Sequence, residues 1–230
     1  MNSERRGLGV NEFFSFIDDE AFFTFDENYP VIEDWMVSPT PPKKIIPFDK
    51  ALKFRGDLSE YFICTYSNDK TFERVRQNPK RYLSFFKRCA GIIGFDFSVG
   101  GLMPIAKQKG QMCDNLALTY YYAKHNIPVI PNLRCDKGEL LDEYLEAFPE
   151  HTLLAVGVHG SIKEYALKVN WWCFLDTIIK KLKPTGIIVY GPLKGKMFEE
   201  LKKRCPFYIY EPWTNSRKKK KKRTNDKIKS

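Results

Sequence analysis

Polar side chains stand at the ends of a series of short apolar segments, a pattern typical of a site at one edge of a parallel sheet. In chain order they are Ser67 and Asp69, Asp96 and Ser98, Asn132 and Arg134, His159 and Ser161, Tyr190, then Glu211 and Trp213. Because parallel strands bring their carboxyl ends to one edge, we expect these groups to converge there. They would supply carboxylates, an imidazole, a guanidinium and hydroxyls.

Asp96 is the strongest candidate for a functional residue, because it interrupts the otherwise apolar segment GIIGFDFSVGG. A buried carboxylate is costly unless it is paired or lies at the edge of the sheet. Two interpretations stay open at this point. Asp96 is either a functional acid or base, or a structural carboxylate that accepts backbone amides from the turn between Ser98 and Gly101.

His159 follows the apolar segment TLLAVGV and precedes a helix start at Gly160 and Ser161. Its ring is a candidate acid, base, metal ligand or substrate contact, or a structural group. Backbone amides at such a helix start can hold an anion such as a phosphate. Arg134 would supply the counter-charge, unless it is an ordinary surface residue. We predict Asp96 and His159 as the catalytic pair. The predicted ligand-binding residues are Ser67, Asp69, Ser98, Asn132, Arg134, Gly160, Ser161, Tyr190 and Glu211.

Cysteines and histidines lack the spacing of metal ligands. The six cysteines contain no CxxC pair and there are only three histidines, so no metal site is predicted. The thiols are expected to be reduced and mostly buried, with Cys135 as the candidate reactive thiol. The sequence contains no Walker A, GxGxxG, GxSxG or HExxH motif, and the cofactor is therefore unknown.

The positive charge of the chain is concentrated in its C-terminal tail. The chain has 38 basic and 28 acidic residues, and nine of the bases and one of the acids lie within residues 217–230. Residues 1–216 therefore carry 29 bases and 27 acids, a net charge of only +2. A near-neutral body argues against extensive groove contacts, whereas a basic tail can attract nucleic acid or serve solubility alone. The candidate nucleic-acid-binding residues are Arg217, Lys218, Lys219, Lys220, Lys221, Lys222 and Arg223.

The elements that must position these residues form an α/β pattern. From Tyr61 onward, short apolar segments alternate with segments of helical period, which favours parallel strands joined by helices. The predicted strands are 61–66, 91–97, 128–133, 152–158, 186–190 and 207–210. The predicted helices are 71–88, broken at Pro79, then 103–125, 140–147, 163–182 and 194–204. About six βα units would form either a partial TIM-like barrel, which we favour, or a doubly wound sheet.

The chain is expected to divide into three parts. Residues 1–58 contain acids, clustered phenylalanines and the proline-rich stretch VSPTPPKKIIPF, which predicts an irregular N-terminal cover. Residues 59–216 would form the α/β core, and residues 217–230 a disordered basic tail. No apolar run reaches the roughly 18 to 20 residues that a membrane span needs, and the chain does not start like a signal peptide. The expectation is a cytoplasmic protein of unknown oligomeric state, with no membrane partner.

The stretch from residue 71 to residue 134 resembles the DUF4417 family, an uncharacterised family of prokaryotic and phage proteins. The resemblance is carried by Phe72-Glu73 with Asn78-Pro79, Asp96-Phe97-Ser98, Met103-Pro104, Gln108 to Asn115, Asn126 to Pro131, and LKPTGIIVYG at 182–191. It covers about residues 61–211. Arg134-Cys135 replaces a tryptophan that is common in the family, and His125-Asn126 stands where glycine is usual, which bears on ligand choice. The resemblance implies a scaffold that recurs in phages and mobile elements, without an established activity or cofactor.

Three functions are compatible with these patterns. The favoured one is binding of, or action on, a small anionic ligand such as a phosphate compound at the carboxyl ends of the strands. The first alternative is a nucleic-acid-associated accessory protein anchored by the tail. The second is a protein-interaction module that uses the acidic, phenylalanine-rich N-terminus. Whether the chain is an enzyme, and which reaction it would catalyse, stay open.

Overall fold

The computed structural model describes residues 21–26, 28–135, 138–158 and 165–213. Seven strands in these ranges form one sheet of four and one sheet of three, and every strand pairing is parallel. The strands are β1 (Lys44–Pro47), β2 (Tyr61–Cys64), β3 (Gly91–Ile93), β4 (Val129–Ile130), β5 (Leu153–Gly157), β6 (Gly186–Tyr190) and β7 (Phe207–Tyr210). The predicted α/β class with parallel strands is confirmed.

One short contact joins the two sheets. Asn132 and Ala155 form a parallel bridge between the chain after β4 and strand β5. The Leu133 amide donates to the Ala155 carbonyl at 2.9 Å, and the Ala155 amide donates to the Pro131 carbonyl at 2.8 Å. The strands therefore follow one another in chain order from β1 to β7, without the reversal of a doubly wound sheet. This order agrees with a partial barrel, and no backbone ladder closes β7 on β1 in the described part of the chain.

Seven helices accompany the strands within the described ranges. They are α1 (Phe48–Ala51), α2 (Glu73–Gln77), α3 (Leu83–Phe86), α4 (Ile105–Lys124), α5 (Gly138–Leu145), α6 (Tyr165–Leu182) and α7 (Glu199–Arg204). The predicted helix over 71–88 is broken at Pro79, where a 3-10 turn over Pro79–Tyr82 separates α2 from α3. The side chain of Asn78 accepts the Arg81 amide at 3.1 Å and so caps this turn. No helix in these ranges has the length and apolar character needed to cross a bilayer.

Strand β1 lies in the segment for which the sequence predicts only an irregular cover. It is short and bounded by prolines, which hides the usual strand signal, yet Ile45 and Ile46 are buried against the core. Further upstream, Val37 bridges Val129, and the Ser38 amide donates to the Val129 carbonyl at 2.8 Å. The N-terminal segment thus pairs with β4 at Val129, just before the residues that join β4 to β5. Both β1 and this bridge belong to the folded core.

Strand β3 ends at Ile93, although the sequence predicts strand as far as residue 97, because side chains of α4 replace the next strand as hydrogen-bond partners. The Asn115 side chain accepts the Phe97 amide at 2.7 Å and donates to the Phe97 carbonyl at 3.2 Å. The Thr119 hydroxyl accepts the Phe95 amide at 3.3 Å. These bonds satisfy buried backbone groups and fix the stretch that carries Asp96.

Gly157, the last residue of β5, leaves room for the ring of Tyr66. A Cβ atom placed on Gly157 would lie 2.5 Å from two carbons of that ring. Well-packed carbon atoms do not approach so closely, so a side chain at this position must displace the ring.

We predict that Gly157→Ala destabilises the fold by about 1 to 3 kcal/mol, because the added methyl group overpacks the space held by Tyr66. Gly110→Ala is the matched control: Gly110 lies within α4, and nothing lies within 4 Å of its Cβ position. We expect that control to gain about 0.5 to 1 kcal/mol of stability. Urea unfolding of both variants measures the difference. A Gly157→Ala protein as stable as the parent would contradict the packing described for Tyr66.

Candidate functional site

Asp96 follows β3 at the carboxyl-terminal edge of the sheet, where its side chain is partly exposed. Its carboxylate accepts a hydrogen bond from the Asn132 amide nitrogen, Nδ2, at 2.9 Å. The same nitrogen donates to the Phe95 carbonyl at 3.2 Å. Asn132 itself is only 4% exposed, so its side chain is held inside the protein, and most of Asp96 is shielded from water beside it. The structure therefore brings these two predicted residues together.

Tyr66 fixes the orientation of the Asn132 side chain. Its hydroxyl donates to the Asn132 oxygen, Oδ1, at 2.8 Å, which leaves the amide nitrogen facing Asp96. The Tyr66 ring stacks on the Tyr190 ring with 5.1 Å between centroids and 22° between planes. The Tyr190 hydroxyl in turn accepts the backbone amide of Trp213 at 2.9 Å. A connected set of contacts thus runs from the end of β3 to the chain after β7.

Burial raises the pKa of the Asp96 carboxyl to about 6, against an ordinary value of 3.8. Arg134 and the hydrogen bond from Asn132 both favour the charged form, but their combined effect is smaller than the cost of removing the carboxylate from water. Burial and the nearby Asp96 carboxylate also raise the pKa of Tyr66 well above its ordinary value. Asp96 therefore gains or loses a proton near neutral pH, while Tyr66 remains a hydrogen-bond donor.

Three other predicted ligand-binding residues take part in two separate hydrogen-bonded pairs, Asp69 with Ser98 and Ser67 with Thr71. The Asp69 carboxylate accepts the Ser98 amide at 3.1 Å and the Ser98 hydroxyl at 3.0 Å. The Ser67 hydroxyl lies 2.9 Å from the Thr71 hydroxyl. The structural role considered for Asp96, binding the backbone of the turn at Ser98, is thus filled by Asp69. This distinction was not visible in the sequence, because both carboxylates lie near strand ends.

The remaining predicted residues differ in their surroundings. Arg134 is partly exposed and lies close enough to Asp96 to lower its pKa. Tyr190 is 3% exposed and packs against Tyr66, whereas Glu211 is exposed. Several predicted residues lie outside the described residues, namely His159, Gly160, Ser161 and the tail residues Arg217, Lys218, Lys219, Lys220, Lys221, Lys222 and Arg223.

The sequence did not indicate three side chains that belong to this region. Tyr66 looked like an ordinary core aromatic at the end of a strand. Asp49, which follows β1, lies close enough to contribute to the raised pKa values of Cys64 and Tyr190. Tyr144 is fully buried, and its hydroxyl has no hydrogen-bond partner among the described residues. A correct prediction of β1 would have placed Asp49 at the same edge as Asp96.

The six cysteines form no disulfides; Cys173 is exposed, and the others are buried or partly buried. Burial raises the pKa of Cys89 to about 11 and that of Cys113 to about 12, so these thiols stay protonated at neutral pH. Cys135 is partly buried and packs against the core. Among the described residues, no three His, Cys, Asp or Glu side chains are grouped so that they could hold a metal ion.

A groove of about 290 Å³ lies at the opposite edge, where the strands begin. It is lined by Phe86, Lys87, Cys89, His125, Asn126, Ile127 and Pro128. The His125 ring nitrogen Nδ1 lies 2.7 Å from the Tyr121 carbonyl, which gives the ring a structural contact after α4. Asn126 has a φ of 60°, a conformation that glycine and asparagine adopt most readily. Asparagine thus fulfils the conformational requirement at a position where glycine was expected.

Comparison with known proteins gives one match. The model of a family described as "Domain of unknown function (DUF4417)" matches residues 24–209. These residues include strands β1 to β6 and all but the last residue of β7, so the match extends further toward the N-terminus than the resemblance seen in the sequence. No curated protein and no solved structure matches the chain.

We predict that Asp96→Asn makes the protein more stable at pH 8, by up to about 3 kcal/mol. The folded carboxyl has a pKa of about 6, above its ordinary 3.8, so the folded state binds more protons between these values and loses stability as the pH rises. The gain in Asp96→Asn should therefore shrink below pH 6 and vanish near pH 4. Urea unfolding at pH 4, 6 and 8 measures it.

Asp57→Asn is the control with the opposite sign. Hydrogen bonds from Ser59 lower the pKa of Asp57, so this carboxylate stabilises the folded state at neutral pH. The Asp57→Asn protein should be less stable than the parent at pH 8, and the two should become equally stable as the pH falls below about 4 and Asp57 of the parent is protonated. An Asp96→Asn gain that is as large at pH 4 as at pH 8 would show that the carboxylate charge is not its cause.

Proposed function

The chain belongs to the DUF4417 family, and we propose that it binds a small anionic, phosphate-bearing ligand at the carboxyl-terminal edge of its sheet. The observation that carries this proposal is the hydrogen-bonded set of Asp96, Asn132 and Tyr66 beside the Arg134 guanidinium. In the proposed complex Arg134 contacts the anion and Asp96 exchanges a proton with the ligand.

The cost of the Asp96 carboxylate to the stability of the folded state supports a functional role. A carboxyl group whose pKa is raised by burial reduces the stability of the folded state at neutral pH. Groups that are costly for stability but held in a fixed orientation are concentrated at functional sites. Asn132 and Tyr66 supply that fixed orientation; they follow β4 and β2, whereas Asp96 follows β3.

Arg134 supports an anionic ligand rather than a neutral one. A guanidinium offers several donors in a plane and binds phosphate oxygens in pairs. When Asp96 is protonated, the positive charge of Arg134 is offset less at this edge, where the Asp69 carboxylate also lies, and an anion is attracted more strongly. When Asp96 is ionised, its carboxylate offsets that charge and repels the anion. Ligand binding and protonation of Asp96 are therefore coupled.

The pKa of Asp96 also suits proton transfer. A group with a pKa of about 6 is present in both protonation states at neutral pH and can act as either acid or base. In this proposal Asp96 is the catalytic group if the ligand is also a substrate. His159 as its partner, and Gly160 and Ser161 as anion-binding amides, remain part of the proposal although they lie outside the described residues.

A second candidate function is supported by the aromatic side chains at the start of the described residues. Phe22 is 63% exposed and Phe25 is 87% exposed, beside acidic residues. Exposed aromatic side chains are typical anchors of protein-interaction surfaces. In this candidate function they are the anchors of an interaction segment, and chymotrypsin cleavage after Phe22 and Phe25 in the isolated protein checks it. Complete resistance of both bonds would contradict it.

We predict that sulfate, which keeps its double negative charge throughout pH 5 to 8, binds to the full-length protein more weakly as the pH rises through about 6. NMR titration of backbone amides measures the affinity. Asp96→Asn should abolish the decline, because it removes the carboxylate that repels the anion. Arg134→Gln should weaken sulfate binding about tenfold at pH 5.5.

Arg55→Gln is the control, since Arg55 is exposed and lies in the chain that leads into β2, whereas the proposed site lies where the strands end. It should change the sulfate affinity by less than about twofold. Inorganic phosphate is then titrated at pH 5.5 as the ligand fragment of interest. Equal losses in Arg134→Gln and Arg55→Gln, or an undiminished pH dependence in Asp96→Asn, would overturn the proposed site.

A further inference from the structure

A strongly basic surface lies on the folded body, away from the tail. Residues 70–88 contain seven basic side chains and one acidic side chain, a net charge of +6. Since residues 1–216 together carry +2, the rest of that body carries −4. The near-neutral total therefore conceals a separation of charge, and the earlier inference that the body is unsuited to nucleic acid does not hold for this surface.

Six of these basic side chains are exposed, and we name them together the 70–88 surface. They are Lys70, Arg74, Lys80, Arg81, Lys87 and Arg88. The seventh, Arg76, turns inward and pairs with Glu73 and Asp114. No salt bridge joins any of the six to another described residue. By contrast, two lysines of α6 and two of α7 pair with acids, namely Lys180, Lys181, Lys202 and Lys203. Asp57 lies near Arg88 but is hydrogen-bonded by Ser59.

The local structure brings four of these charges close together along the segment, namely Lys80, Arg81, Lys87 and Arg88. Phe72, Val75 and Phe86 are completely buried and attach the segment to the core. The 3-10 turn over Pro79–Tyr82 continues directly into α3. Lys80 and Lys87, and likewise Arg81 and Arg88, are seven residues apart, which is about two helical turns and places each pair on the same face. The side chain of Ser84 is exposed in the middle of that face.

The composition of the surface fits a phosphate backbone better than a membrane or a protein. None of the large exposed apolar side chains of the described residues lies between residues 70 and 88. A lasting membrane contact adds inserted apolar side chains to basic charge, and a protein interface has large apolar or aromatic anchors, and residues 70–88 present no fully exposed large apolar side chain of either kind. Unpaired lysines and arginines among exposed polar groups are the contacts that nucleic-acid phosphates receive.

We propose that the 70–88 surface binds the sugar–phosphate backbone of a nucleic acid. This binding goes beyond the ligand site at Asp96 and does not depend on it. It is also independent of the tail, because its charges belong to folded elements of the body. Binding through phosphates alone is insensitive to base sequence and decreases steeply with salt.

The test compares two triple variants of the full-length chain that remove the same charge. Lys80→Gln, Arg81→Gln and Lys87→Gln together remove three charges from the 70–88 surface. Lys180→Gln, Lys181→Gln and Lys203→Gln remove three exposed lysines that pair with Asp176, Asp142 and Glu200. Both variants keep the tail, so its contribution is the same in each. Fluorescence anisotropy measures binding of a 20-base-pair DNA duplex, and of one of its single strands, between 50 and 200 mM NaCl.

We expect the first triple variant to lose at least about tenfold in affinity at 100 mM NaCl, and its slope of log affinity against log salt to fall by about 2 to 3. The control triple should change affinity by less than about threefold. Ser84→Glu, a single change that adds negative charge to the same face, should also weaken binding. This single variant provides a second measurement of the same surface if the triple variant proves unstable.

Three outcomes would overturn the proposal. Equal losses in the two triple variants would mean that only the total charge matters. Undiminished binding by the first triple and by Ser84→Glu would assign any binding to the tail. Stronger binding to vesicles of phosphatidylserine and phosphatidylcholine than to DNA, lost in the first triple alone, would make the surface a membrane contact instead.

Discussion

The structure depends on the requirement that Asn132, a buried polar residue, satisfy all its hydrogen bonds at once. Its neighbours Pro131 and Leu133 make the backbone hydrogen bonds that join the two sheets, and its side chain links Tyr66 to Asp96. An amide buried without partners would cost roughly 1 to 3 kcal/mol, so the alignment of the two sheets and the orientation of the side chain reinforce each other. The geometry at Asp96 is consequently tied to the junction of the fold rather than to a mobile loop.

The sequence predicted the second half of the fold better than the first, for physical reasons. Strands β6 and β7 have the predicted bounds, because each is a continuous apolar or aromatic run that ends sharply. Strand β3 was predicted too long because its apolar run continues to Phe97. The Phe97 backbone is hydrogen-bonded by the Asn115 side chain rather than by a neighbouring strand, which the run itself does not reveal. Strand β1 was missed because its prolines suggested irregular chain. Long-range partners decide these cases, and a local pattern does not contain them.

The candidate site was predictable to the same limited degree. Asp96 was recognisable because a carboxylate within an apolar run requires an explanation, and Asn132 because it follows a strand. Tyr66 was not, since its hydroxyl bonds to a residue 66 positions away. The 70–88 surface was concealed by summing charge over the whole body, where acids elsewhere cancel it. Lys70 follows Asp69, which holds Ser98 beside the Asp96 stretch, so the two proposed binding regions share one connecting segment.

The absence of a backbone ladder between β7 and β1 in the described residues has a consequence for self-association. A strand with one unpaired edge can recruit another chain, and parallel strands are ordinarily protected from this by neighbours on both sides. Here Pro47 removes one amide donor from β1, and Lys44 at its other end pairs with Glu60 and keeps a charge beside the strand. The Tyr210 hydroxyl holds β7 to the Pro42 carbonyl. Proline, charge and this hydrogen bond together discourage edge-to-edge polymerisation at the edges of β1 and β7 that no described strand pairs.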